Sequence, residues 1–270
     1  MSHVLYELEN GVATLTLNIP TRLNPIAMDL QVELRDTLAR VADDRSVRAV
    51  VLTGAGKAFC VGADLSAILG GADDGDGKAK GSLGTQTAEW MQSLSNPLIE
   101  AMHALPVPIV AAVNGAAAGA GVGLALAADI TIAARSAYFY LPFLPKLGIV
   151  PDLGCTWFVP RRIGAARAMG MALLDERVSA DQAERWGLIW AACEDDLLLL
   201  EAQKIAERLA RLPAHAVLEA RKAFEASAQH TLSEQLHFES ERQRELIDKP
   251  SFSEGVTAFL QKRAPVFPGR

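Results

Sequence analysis

Residues 104–128 carry no charged side chain, and that stretch constrains the rest of the fold more than any other. It is long enough to span a bilayer. However, Pro106, Pro108, Asn114 and four glycines interrupt it, and alanine supplies most of the remainder. It therefore reads as a buried strand, turn and helix rather than a membrane span. A chain of 270 residues, half of them hydrophobic and 21% charged, is large enough to enclose such a segment and is not disordered. The formal charge of −6 offers no general field for nucleic acid or an anionic membrane. The opening MSHVLYELENGVATLTLN has no basic segment followed by an apolar core, so a signal peptide is not expected. Cys60, Cys155 and Cys193 are odd in number and lack metal-ligand spacing, as for thiols in a reducing compartment. A cytoplasmic protein is expected.

The first part of the chain alternates strand and helix signals. Val12–Leu17 has period two and reads as a strand. Asp29 opens a helix with Leu30, Leu34, Leu38 and Val41 on one face. Ala49–Thr53 is a short buried strand ending in Gly54-Ala-Gly56. Ile109–Val113 repeats the pattern, running into Gly115 and a small-residue helix around 119–128, and Asp129–Ala133 is another strand. Such repeats predict an α/β core. Residues 70–84, rich in Gly, Asp and Lys, predict a mobile surface loop that ligand would partly order. After about residue 195 only helical periodicity remains, with Ser251-x-x-Glu254 as a capping box for the last helix. The expected layout is a core over 1–195 and a helical region over 196–270.

Two glycine-rich turns fail as nucleotide motifs. Gly119-Ala-Gly121-Val-Gly123 has Leu124 where a dinucleotide fingerprint needs a small residue. Gly54-Ala-Gly56-Lys57 has Val51 where a P-loop needs its first glycine. Both turns follow apolar strands and precede helices, so each presents unpaired backbone N–H groups at a positive helix end. Two such turns meeting at one point make an oxyanion hole. Tight helix–strand packing explains the same glycines.

Lys57-Ala-Phe-Cys-Val-Gly-Ala-Asp-Leu65 resembles the first signature of the enoyl-CoA hydratase/isomerase (crotonase) superfamily. Pro106–Gly121, followed by Ala128-Asp129-Ile130, resembles the second. Asn18–Asn24, Gly148–Gly154 and the ending Glu254–Arg263 fit at their places. The resemblance implies an α/β spiral of ββα units, a C-terminal helical region used in trimerisation, and an acyl-CoA thioester substrate. It implies a homotrimer or a dimer of trimers, and no cofactor beyond the coenzyme A that is part of the substrate. In that pattern the N–H groups of Ala63 and Ala120 hold the thioester oxygen. Arg22, Leu23, Lys57, Val61, Asp64 and Leu65 would flank the CoA arm. Phe259 and Lys262 match a late helix that contacts the adenine end and phosphates.

The resemblance also bears on the reaction. Related hydratases use two glutamates, one at the position of Gly123 and one near Leu144 or Pro145, and neither place offers a carboxylate here. Asp152, in Ile149-Val-Pro-Asp-Leu-Gly, matches the catalytic carboxylate of related isomerases. One carboxylate can move a proton between two carbons while an oxyanion hole holds the dienolate. Pro151-Asp152 before a helical run is also an ordinary helix start, and the two roles can coexist. The favoured expectation is enoyl-CoA isomerisation by Asp152. The rivals are a hydratase with atypical residues and a catalytically idle CoA-thioester-binding protein. No histidine is spaced as a metal site or triad, and Cys60 and Cys155 read as small buried side chains.

Overall fold

In the computed structural model, which describes residues 2–65, 81–267 and 269, the chain opens as a hairpin. Strand β1 (Val4–Glu9) pairs antiparallel with β2 (Val12–Leu17) across Asn10-Gly11, both at positive φ. That pair is the turn chemistry a two-residue hairpin requires. Strand β3 (Ala49–Gly54) adds to β2 in parallel. Four further strands place a small strand beside a large one: β4 (Ala58–Cys60), β5 (Ile109–Val113), β6 (Ala116–Ala118) and β7 (Ile130–Ala134). Then come β8 (Tyr138–Tyr140), β9 (Val178–Ser179) and β10 (Ala191–Cys193). The larger sheet runs β1-β2-β3-β5-β7-β10 and the smaller one β4-β6-β8-β9. Each of β3, β5 and β7 thus hands the chain to a short strand of the second sheet before a helical segment follows. This is the ββα spiral that the resemblance implied.

Helix α1 (Met28–Asp43) buries Leu30, Leu34, Leu38 and Val41, the face read from the sequence. Helices α2 (Leu83–Trp90) and α3 (Asn96–Ala104) lead to β5. The uncharged stretch becomes β5, β6 and α4 (Ala120–Leu126), all buried, and no helix among the described residues is long and apolar enough to cross a membrane. Strands β3 and β5 are covered on both faces, hence their unbroken apolar runs. Asp129 stands just before β7 rather than inside it, accepting the Ile109 N–H at 2.7 Å.

Helices α5 (Cys155–Leu173) and α6 (Ala180–Trp186) precede the helical region: α7 (Leu198–Ala210), α8 (Ala216–Ser227), α9 (Leu232–Ile247) and α10 (Pro250–Leu260). The expected box at Ser251 and Glu254 does not form. Pro250 already occupies the first turn, so Ser251 lies inside the helix. Glu254 instead takes a two-pronged bond from Arg263 at 2.7 and 2.9 Å, which a charged donor makes stronger. A capping box does form at Thr231 and Glu234, heading α9.

Helix α8 is tied to the core by Arg221. Its guanidinium donates to both Asp129 oxygens at 2.8 and 2.7 Å and to the carbonyls of His103 and Leu105 at 2.7 and 2.6 Å. Arg221→Leu leaves Asp129 and these carbonyls short of a donor. Urea unfolding should show a loss of about 3 kcal/mol, well beyond that of an exposed ion pair.

Candidate active site

The first residue of α4 is Ala120, so its N–H has no partner within the helix. Gly119 before it has φ 53° and ψ −130°, a conformation open only to glycine. The Gly119 carbonyl accepts from Val122 N–H at 3.0 Å and from the Cys155 thiol at 3.7 Å. In a trans peptide the N–H points opposite the carbonyl, so the Ala120 N–H faces away from both. The other turn is built alike. The Gly62 carbonyl accepts from Ile26 N–H at 2.8 Å, which turns the Ala63 N–H the opposite way. Neither N–H is taken by a backbone carbonyl among the described residues.

The two turns touch through their main chains. A Cβ on Gly62 would lie 2.8 Å from the Ala118 oxygen and 3.0 Å from the Ala120 nitrogen. One on Gly121 would lie 2.1 Å from the Cys60 oxygen. The Gly54-Ala-Gly56 turn leads into strand β4 rather than the expected helix, and it is the Gly62 turn after β4 that packs against the Gly119 turn and brings Ala63 and Ala120 together. Two asparagines shape the approach. Buried Asn24 donates to the Ala55 and Ala58 carbonyls at 2.9 and 2.8 Å and accepts from Ile19 N–H at 2.8 Å. Asn114 donates to the Gly56 carbonyl at 3.0 Å and accepts from Gly54 N–H at 3.1 Å. Sequence reasoning missed both ties. Asn24-Pro25, with Asn24 at φ 53°, was the only local signal.

Asp152 lies in the turn that leads into α5. The N-cap of α5 is Gly154, at φ 79°, so Asp152 is not the side-chain cap that the sequence also allowed. Its Oδ1 is buried without a hydrogen-bond partner. Burial pushes its pKa from 3.8 up to about 6. The turn that carries it packs on α4, with the Leu153 carbonyl against Gly123 and the Cys155 thiol bonded to Gly119. Burial and the Asp152 charge push the Cys155 thiol up, and burial takes Cys60 up to about 12, so neither is an activated nucleophile. Arg162 of α5 fastens the other end of α4, donating to the Leu126 and Ala128 carbonyls at 2.7 and 3.1 Å.

The segment leading to this carboxylate is apolar. Phe143 is buried beside Gly119, while Leu144, Leu147, Ile149 and Val150 are exposed along the segment leading to Asp152. Leu144 and Pro145 leave the second hydratase position apolar, and a side chain at Gly123 would meet the Leu153 carbonyl at 2.0 Å. Arg22 and Asp64 form an ion pair, bringing the 20–23 turn against the residue after Ala63. Leu23 and Leu65 are exposed beside that pair, Lys57 is exposed and Val61 half-buried. Phe259 and Lys262 stand elsewhere. Phe259 is 83% exposed and lines an apolar groove of about 420 Å³ with Leu246, Phe252 and Phe267. Of the predicted 70–84 loop, residues 70–80 lie outside the described residues; Ser82 caps α2.

The sequence profile of the enoyl-CoA hydratase/isomerase family matches residues 7–270. A 1,2-epoxyphenylacetyl-CoA isomerase of Escherichia coli K12 is 43% identical over 270 residues, covering both chains completely. A Rhodobacter capsulatus protein named "Probable enoyl-CoA hydratase" is 44% identical over 267 residues, 99% of this chain and 98% of the other. The crystal structure of an enoyl-CoA hydratase from Polaromonas sp. JS666 superposes with a TM-score of 0.89 at 28% identity, covering 98% of this chain and 99% of that one. A match that runs the length of the chain, over a fold of repeated ββα units, makes this protein a member of the enoyl-CoA hydratase/isomerase family of the crotonase superfamily.

Proposed function

We propose that the chain isomerises an enoyl-CoA by moving its double bond, with Asp152 as the single acid–base and the Ala63 and Ala120 N–H groups as the oxyanion hole. Asp152 takes a proton from the carbon next to the thioester carbonyl of a β,γ-enoyl-CoA. The electron pair passes to the carbonyl oxygen, where the two N–H groups meet the developing charge. The same carboxyl returns its proton two carbons along, and the conjugated enoyl-CoA leaves. No atom is gained or lost, and no cofactor is required.

The observation that carries this proposal is the Asp152 carboxylate itself. It is half-buried, its Oδ1 is buried without a partner, and its turn packs on the helix whose first N–H is assigned as an oxyanion donor. A pKa raised to about 6 suits a group that must both accept and return a proton near neutrality. Two-carboxylate hydration has no support at Gly123, Leu144 or Pro145. One relative's name favours a second substrate for an isomerisation at this site, a 1,2-epoxyphenylacetyl-CoA. A screen of CoA thioesters with product identification by mass and absorbance tests these assignments. A conjugated product of unchanged mass is expected from a β,γ-enoyl-CoA. Gain of one water would mean hydration, and binding without turnover would mean an idle protein.

The proposal includes assembly as a trimer or a dimer of trimers. Helices α8–α10 leave Phe224, Leu232, Leu236, Phe259 and Leu260 exposed, more apolar surface than a solitary helical region carries. Sedimentation at micromolar concentration should give a multiple of three subunits; a monomer would overturn it.

A further inference from the structure

Gly123 lies one turn into α4, and nothing but a hydrogen fits there. A methyl group on its Cα would sit 2.0 Å from the Leu153 oxygen, 2.9 Å from the Leu153 carbonyl carbon and 3.3 Å from Cys155 Sγ. The first two are main-chain atoms of the turn that carries Asp152, and packed main chain cannot swing aside as a flexible side chain can. That turn is strained into place. Leu153 is buried at φ 48°, a left-handed conformation that a branched side chain adopts only when its surroundings hold it there. Cys155 then fastens the turn to Gly119, whose carbonyl belongs to the same peptide as the Ala120 N–H. So α4 carries an oxyanion donor at its start and, one turn later, a bare Cα under the base.

We propose that Gly123 is a positioning residue for the reaction: its missing side chain sets how far the Asp152 carboxylate stands from the oxyanion N–H groups. This rests on the assignment of Asp152 as the acid–base. A side chain at 123 lifts the 152–154 turn off α4 and carries the carboxylate outward. A displacement of about 1 Å is enough to cost about 10²-fold in rate. The lifted carboxylate also regains water. Helix α4 offers it no titratable neighbour; Cys155 is held neutral by burial; Lys146, on the preceding turn, is paired with Asp175 at 2.5 Å. The acid limb of the pH–rate profile therefore reports the hydration of Asp152 itself.

The test compares Gly123→Ala, Asp152→Asn and the double variant on a β,γ-enoyl-CoA, with melting curves for each. Expected for Gly123→Ala is a folded protein with kcat lowered about 10²-fold, KM within a few-fold, and an acid limb moved down from about 6. In the Asp152→Asn background, Gly123→Ala should cost no further rate. Unchanged kcat and limb in Gly123→Ala, or an equal loss in both backgrounds, would overturn the proposal. If Gly123→Ala does not fold, Cys155→Ala loosens the same turn without crowding it. A rate loss with a lowered limb then supports the proposal, and an unchanged profile overturns it. An active Asp152→Asn defeats the acid–base assignment and this inference together; a full-rate Gly123→Ala beside an inactive Asp152→Asn defeats this inference alone.

Discussion

Asp152→Asn should lower double-bond isomerisation by two or more orders of magnitude and, above pH 6, raise the melting temperature. The rate falls because the amide cannot accept the proton. Acyl-CoA affinity should survive, since the proposed oxyanion donors belong to Ala63 and Ala120. The stability gain follows from the cost of a buried charge. The folded protein holds the Asp152 proton up to about pH 6, whereas the unfolded chain releases it near 3.8. Stability from the neutral acid is complete below 3.8, declines as pH rises, and is gone once pH passes about 6. That difference amounts to about 3 kcal/mol. Asparagine keeps part of the polar desolvation cost, so the gain should be about 1–2 kcal/mol at pH 8 and near zero at pH 4. In the native enzyme, kcat should rise through pH 6 and level off above it. Equal turnover by both proteins, or a lower melting temperature for the variant at pH 8, would remove Asp152 from the mechanism.

How much of this was legible in the chain depended on the range of the interaction. Strands β2, β3 and β5 and the buried face of α1 were readable because burial imposes a local period on apolar residues. The second sheet was not. Its strands β4, β6 and β8 are three residues each, too short for a period, and they pair with partners far away in sequence. The glycines of the two turns were visible, but their effect depended on which carbonyl each one faces. Gly121 meets Cys60 and Gly123 meets Leu153. Asp152 shows the limit most plainly. Pro-Asp before a helix allowed both a cap and a base; Gly154 takes the cap position, and the unpartnered Oδ1 on which the proposed base rests is visible only in the folded chain. The Asn10-Gly11 hairpin was readable from local chemistry and was passed over.

Ala120→Pro should reduce turnover by about 10²–10³-fold while leaving α4 folded. The position makes the substitution clean. Ala120 is the first residue of its helix, where proline's fixed φ suits the backbone and no intrahelical bond is lost. Gly119, at φ 53° and ψ −130°, has no side chain to clash with a following proline ring. What disappears is the N–H proposed to meet the thioester oxygen. The ring carbon that replaces its hydrogen also crowds that oxygen's place, so KM should rise as kcat falls. Asp152 keeps its burial, since Gly123 and Cys155 are untouched, and the acid limb should therefore stay near pH 6. The two variants then differ in kind. Asp152→Asn removes the titration and keeps affinity; Ala120→Pro keeps the titration and weakens both binding and rate. If Ala120→Pro folds and turns over at the native rate, the oxyanion charge is held elsewhere. In that case the convergence of the two glycine turns would serve packing alone.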